Sequence, residues 1–305
     1  MNKRIILLLI SIAAFLGLSV SFIQNKRKSQ SQVLSAVPSA KTDIEPLTLT
    51  ETLEIKINDF DDLQSYISRK AGFFAIYIKD LTTQQEYKIN SDQRLYGASL
   101  YKILVAGTVY EDLANDLLSL NYIYVYEPDD YSDGSGVLQN YKVGSSCSID
   151  ALLDYLLKYS DNIAQNILVR NIGVEKIANF YKKYSDFSES GTFSKDIFTT
   201  PEEVSDIFYN IYENDKWSKE LRREFFTRMT NTRFEDRIAE SLSKDLTFSH
   251  KIGSAPLSGS WHDCGVVFAK GFTRPTLVCL MSKNTAYEDF LDVSHAVGNF
   301  INSKY

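Results

Sequence analysis

The order of patterned segments constrains this chain more than any single residue does. Two stretches near the front read as strands, and three more lie near the end. Between residues 91 and 245 the sequence is helical or turn-rich. Residues 73–80 (FFAIYIKD) and 86–90 (EYKIN) alternate apolar with polar across a TTQQ turn, which predicts a β-hairpin. Strands are predicted near 246–254, 261–269 and 275–282, with Lys270-Gly271 in a turn. There is no strand–helix alternation of the doubly wound kind. The expected class is therefore α+β: one antiparallel five-stranded sheet flanked by helices, and a separate all-α half. A site at their seam would draw residues from both.

The helical segments follow from apolar spacing. Ile57, Phe60, Leu63 and Ile67 place an opening helix within 51–70, and a long apolar-periodic helix covers 99–118. Residues 121–147 are turn-rich, with Asp-Gly-Ser-Gly at 133–136. Helices follow at 149–158 and 162–171, over roughly 217–241, and at 286–303. Near residue 200 the start signal is sharp: Thr200 as N-cap, Pro201 at the first helical position and Glu203 closing a capping box.

The N-terminus is built differently. Residues 5–23 run for 19 positions without a charge, long enough to cross a bilayer as a helix, and Lys3 and Arg4 precede them. Residues 1–23 are read as a signal anchor, or as a signal peptide cleaved near Ser19-Val20-Ser21. Either reading exports the rest of the chain: held on the outer side of the cytoplasmic membrane in the first case, secreted in the second. Residues 24–50 are rich in Ser, Thr, Gln and Lys and hold no period, so they are expected to be a flexible linker. Residues 51–305 would form the catalytic domain.

Charge agrees with this division. The chain of 305 residues has a formal charge of −6, yet residues 1–50 hold six basic and two acidic residues, +4, leaving −10 for the rest. An acidic body argues against nucleic acid as a partner. A hydrophobic content of 44% with 24% charged residues is globular composition and excludes a disordered chain. Three cysteines, Cys147, Cys264 and Cys279, define no disulfide framework and show no C-x-x-C spacing. They are expected to be small buried apolar residues. A disulfide between Cys264 and Cys279 on neighbouring strands is open but unsupported by register. None of the three His residues sits in a metal-ligand pattern, and no metal or other cofactor is expected.

Three short motifs carry chemistry. In Ser99-Leu100-Tyr101-Lys102, positions i and i+3 share a helix face, so Ser99 Oγ and Lys102 Nζ can meet. A lysine in a low-dielectric cleft near other cations releases its proton more readily and can act as a base. Alone, the spacing is equally that of a helix-surface pair. Ser160-Asp161-Asn162 follows a helix: Ser160 could relay a proton and Asn162 could hold an amide, or the motif could simply cap the next helix. In Lys251-Ile252-Gly253-Ser254, Lys251 could attract a carboxylate or be an edge-strand charge, and Gly253 would let a ligand approach the backbone.

Taken together, in this order and on these elements, the motifs resemble the S-x-x-K, S-D-N and K-T-G set of class A β-lactamase-like serine hydrolases. The resemblance covers roughly residues 55–303. Supporting stretches are YGASLYKILVAGTVYE (96–111), DGSGVLQ (133–139), LLKYSDNIAQNIL (156–168), TTPEEV (199–204) and FSHKIGS (248–254). It implies a β-lactamase-type α/β sandwich that acts as a monomer on a β-lactam or a peptidoglycan peptide. It also implies site roles. Ser99 is the acylated nucleophile and Lys102 takes its proton. Ser160 passes a proton to the leaving nitrogen, and Asn162 binds the substrate amide. Lys251 orients Ser160 and attracts the substrate carboxylate, with Gly253 beside it. The backbone N–H groups of Ser99 and Ser254 form the oxyanion hole, each donor worth roughly 10²–10³ in rate.

Two departures stand out. Ile252 occupies the position where the family has Thr or Ser. The family's Glu-x-x-Leu-Asn, whose Glu activates the deacylating water, is absent: residues 172–200 contain only Glu175 and Glu189. Glu175 reads as an exposed helix position, which leaves Glu189 as the sole candidate base, the alternative being a solvated loop carboxylate with no such base in the chain. Three readings stay open: a β-lactamase, a DD-peptidase-like penicillin-binding enzyme that deacylates slowly, and a non-catalytic binder of β-lactams or wall fragments.

Overall fold

The computed structural model describes residues 57–185, 196–271 and 273–305. The described residues start with α1 (Phe60–Ile67), capped by Asp59, whose side chain accepts from the Asp62 N–H. Strands β1 (Phe73–Asp80) and β2 (Glu86–Ile89) form the expected hairpin. Then come β3 (Leu95–Tyr96), a 3₁₀ turn at Ala98–Leu100, and α2 (Tyr101–Ala114). The helical half continues through β4 (Ile123–Val125), β5 (Ser146–Ser148), α3 (Ile149–Lys158), α4 (Asn162–Ile172) and α5 (Val174–Tyr184). The chain returns through β6 (Phe198–Thr199), α6 (Pro201–Tyr212), α7 (Lys219–Arg228) and the short α8 (Ile238–Ser241). It closes with β7 (Leu246–Ala255), β8 (Ser260–Ala269), β9 (Thr273–Lys283) and α9 (Tyr287–Asn302).

The main sheet has the order β2-β1-β9-β8-β7, antiparallel throughout, so the first two strands and the last three do join. It is buried on both faces, and the pleat sorts its side chains. Ala75, Val266, Leu277 and Met281 point into the core of the helical half. Phe74, Ile76, Val267, Val278 and Leu280 point into a second core under α1 and α9. Strand β1 therefore lacks the expected apolar–polar alternation. In α2, Tyr101 through Tyr110 are all buried, which makes it the central helix of the α half.

Several expectations are corrected. The stretch 217–241 is not one helix: α7 ends at Arg228, and α8 covers only four residues. Helix α5 and the β4–β5 pair were not foreseen. Thr200 does accept from the Glu203 N–H at 3.1 Å. The Glu203 carboxylate, however, pairs with Arg94 and accepts from Tyr181 and Thr199, so it does not complete a capping box. Cys264 and Cys279 are not separate thiols; they lie in register across β8 and β9 and are joined by a disulfide. Cys147 is a free, buried cysteine, as expected.

Residues 55–305 form one unit. The 1–23 segment, the linker and Glu189 fall outside the described residues. Among those described, no helix is long and apolar enough to cross a membrane.

Candidate active site

Edge strand β7 faces the 3₁₀ turn that opens α2, and the loop between α3 and α4 lies beneath both. Close packing brings the turn and the strand together. A Cβ on Gly253 would stand 2.7 Å from His262 Cδ2 and 2.9 Å from the Gly97 carbonyl oxygen. The glycine thus admits the protein's own backbone, where the sequence had pointed to a ligand. His262 completes the joint. Its Nε2–H donates to the Tyr96 carbonyl at 2.7 Å, and its Nδ1 accepts from the Ser282 N–H at 3.3 Å. Burial keeps this imidazole neutral, pushing it down to about 4.

Lys102 is the hub. Its Nζ lies 3.0 Å from Ser99 Oγ, 3.2 Å from Ser160 Oγ, 2.9 Å from the Ser160 carbonyl and 2.7 Å from Asn162 Oδ1. Lys251 Nζ approaches Ser160 Oγ from the other side at 2.9 Å and also donates to the Ile252 carbonyl at 3.1 Å. Ser160 is buried and held at φ 51°, a left-handed conformation costly for a non-glycine residue. Ala98, next to Ser99, is likewise at φ 47°.

Burial shapes the electrostatics. Desolvation drives Lys102 down to about 7, although the nearby Asp161 charge pulls the other way. Lys251, buried at the sheet edge rather than exposed there, is pushed well below its ordinary value by burial and by the charges of Lys102 and Arg237. Asp161 is the cap of α4, accepting from Ile163 and Ala164 at Oδ1 and from Val137 and Leu138 at Oδ2, 2.6–2.9 Å. These bonds pin the 133–138 loop to the motif. A Cβ on Gly136 would strike the Asp161 carboxylate. The Asn162 side chain also donates to the Asp133 carbonyl at 2.8 Å.

These groups open onto a cavity of about 250 Å³, lined by Tyr96, Ala98, Ser99, Lys102, Ser132, Asn162, Gln165, Asn166, Asp196, Ser254 and Ala255. Ser160 and Lys251 are buried and, like Gly253, are not part of this lining; Ser160 reaches it through Lys102. Cavities of about 470 and 500 Å³ flank α7 and hold none of the motif residues. The structure thus gathers seven predicted residues, Ser99, Lys102, Ser160, Asn162, Lys251, Gly253 and Ser254, in one place. Glu175 is exposed on α5, as expected.

Sequence reading missed Arg237 and Asp196. Arg237 is buried; it donates to the carbonyls of Gly253 and His262 and, at 2.8 Å, to Ser254 Oγ. It lies in the break between α7 and α8, where no local pattern marks it. Asp196, between α5 and α6, carries no sequence signal of its own, because the motif that the resemblance led us to seek there is built on a glutamate.

The chain matches the family model described as "Beta-lactamase enzyme family" over residues 59–302. Among curated proteins it is 30% identical to a beta-lactamase of Bacillus licheniformis over 129 residues, 42% of this chain and 40% of that protein. It is 23% identical to beta-lactamase VEB-1 of Pseudomonas aeruginosa, over 72% of this chain and 78% of that protein. The chain thus spans about two fifths of the length of the first relatives it matches. Among solved structures, PBP-A aligns with a TM-score of 0.72 at 17% identity, covering 80% of this chain and 94% of that one. The ancestral class A beta-lactamase GNCA aligns with a TM-score of 0.71 at 19% identity, covering 80% and 99%. These likenesses establish the fold.

Proposed function

This chain belongs to the beta-lactamase enzyme family, and from that premise we propose that it opens β-lactam rings through an acyl-enzyme on Ser99. The observation that carries the reading is the 3.0 Å approach of a buried, readily deprotonated Lys102 to Ser99 Oγ. Ser99 Oγ attacks the lactam carbonyl as its proton passes to Lys102 Nζ. The developing oxyanion is received by the backbone N–H groups of Ser99 and Ser254, two residues that line the same cavity. Ser160 Oγ stands between Lys102 Nζ and Lys251 Nζ. The proton on Lys102 can therefore cross Ser160 to the departing nitrogen as the C–N bond breaks. Arg237, hydrogen-bonded to Ser254 Oγ at the cavity wall, supplies positive charge for an anionic substrate. In a body of net charge −10, that attraction is local to the cleft. PBP-A, a structural neighbour, has been captured in variant form as an acyl-enzyme with penicillin G.

A second reading rests on one observation: residues 172–200 hold no Glu-x-x-Leu-Asn. On it, the enzyme is acylated by the same route but releases the acyl group slowly, and acts on peptidoglycan peptides. In both readings the protein is exported and held at or released from the membrane. The apolar run at 5–23 and the Cys264–Cys279 disulfide support export, because disulfides persist in oxidising compartments.

Mixing the full chain with a chromogenic cephalosporin and a fluorescent penicillin separates the readings. Sustained turnover supports the first. A long-lived label without turnover supports the second. Neither label nor turnover, with Ser99→Ala leaving ligand affinity unchanged, sinks both.

A further inference from the structure

Hydrolysis of an ester at Ser99 requires a group that takes a proton from water beside that ester. The carboxylates around the site can be sorted by whether they line the cavity that holds Ser99. Asp161 is buried, and both its oxygens are taken up by four backbone N–H groups. Glu203 is committed to Arg94, Tyr181 and Thr199 and does not line the cavity. Asp133 accepts from the Tyr131 hydroxyl at 2.7 Å and also lies outside the lining. Among the described residues, Asp196 is the one carboxylate that lines the cavity containing Ser99 and Lys102. Its Oδ1 accepts from the Tyr96 hydroxyl at 3.1 Å. Tyr96 is in turn fixed through its carbonyl to His262, so the carboxylate is tethered to the strand that delivers Ser99. Gln165 and Asn166, one turn along α4 from Asn162, place amide groups on the same wall.

We infer that Asp196 is the general base that activates the deacylating water. The inference rests on the acylation of Ser99 proposed above. Water oxygen bonds to the acyl carbonyl carbon as its proton moves to the Asp196 carboxylate, and the Ser99 and Ser254 N–H groups receive the oxyanion. The C–Oγ bond then breaks, Ser99 Oγ recovers the proton held by Asp196, and the product leaves as an acid that ionises in solvent. The cavity of about 250 Å³ that Asp196 and Ser99 both line is large enough to admit water. A positioned general base contributes roughly 10²–10⁴-fold, so its loss is visible in the acyl-enzyme lifetime.

The test tracks adduct formation and decay by intact mass after mixing benzylpenicillin with the full chain and with Asp196→Asn, Asp196→Glu and Glu189→Gln. All four should acylate at rates within a few-fold, which also reports that the variants fold. The Asp196→Asn adduct should persist at least about a hundredfold longer than wild type. Asp196→Glu should restore most of the decay, and Glu189→Gln should decay like wild type. An Asp196→Asn adduct that decays as fast as wild type overturns the inference, as does a lifetime governed by Glu189, while leaving acylation intact. Absence of any wild-type adduct overturns the acylation reading and this inference with it.

Discussion

The titration of Lys102 offers a quantitative test of the site. A lysine with the ordinary value of 10.5 is amine at about one part in three thousand at pH 7, whereas Lys102, held at about 7, is about half amine. The structure therefore raises the fraction of usable base at neutral pH by about a thousandfold. Burial is the main cause, and Asp161 opposes it. The sign follows directly: Lys102 accepts the Ser99 proton only as the amine, so acylation rises with pH through about 7. Below that limb the rate falls about tenfold per pH unit, reaching roughly one hundredth at pH 5. Stopped-flow acylation with a fluorescent penicillin from pH 5 to 9, at low ligand concentration, reads this limb in the free enzyme. Asp161→Asn removes the charge that favours the ammonium form and moves the limb to lower pH. Lys102→Arg, permanently cationic, should cost about 10²–10⁴ in acylation rate. A flat profile, or a rate still climbing toward pH 10, would refute Lys102 as the base.

Two further predictions concern the frame of the site. Gly253→Ala forces a methyl group against His262 and the Gly97 carbonyl, so it should cost about 1–3 kcal/mol in urea unfolding and slow acylation; an unchanged midpoint contradicts the packing. Buried His250 bonds Asp263 at 2.6 Å and faces Glu235 and Thr232 at 3.3 Å. Burial disfavours its charge, but Asp263 and Glu235 together carry it up to about 9. The stability it contributes is thus full below about pH 6.5 and lost as pH rises to 9, by up to about 3 kcal/mol. Denaturant unfolding across that window should show the loss in wild type and a flatter curve for His250→Gln, whereas parallel curves contradict it.

The legible parts of this chain are those where local pattern and tertiary role coincide. Strands β7 to β9 and helices α3, α4 and α9 lie within two residues of the ends that their sequence predicts, because their apolar spacing is also their packing face. The seven gathered site residues were legible because each motif binds local spacing to chemistry. The failures have physical causes. The Glu203 carboxylate was drawn to Arg94 by an ion pair that outcompetes a cap. The 229–237 break interrupts a helix-like pattern in order to deliver Arg237 to carbonyls on β7 and β8, a purely long-range demand. The pairing of Cys264 with Cys279 depends on a register that periodicity does not fix. Strand β1 hid its double burial because Tyr77 and Lys79 read as a polar face. Gly253 was assigned to a ligand because nothing in sequence announces that Gly97 arrives there.

The central claim is covalent chemistry at Ser99, and peptide mapping tests it most directly. The full chain, quenched in acid seconds after mixing with benzylpenicillin and digested, should carry the mass of one intact penicillin on the peptide containing Ser99, since ring opening expels no fragment. Ser99→Ala should carry none. An adduct on another residue, or a bound but unmodified penicillin with no turnover, would contradict the account.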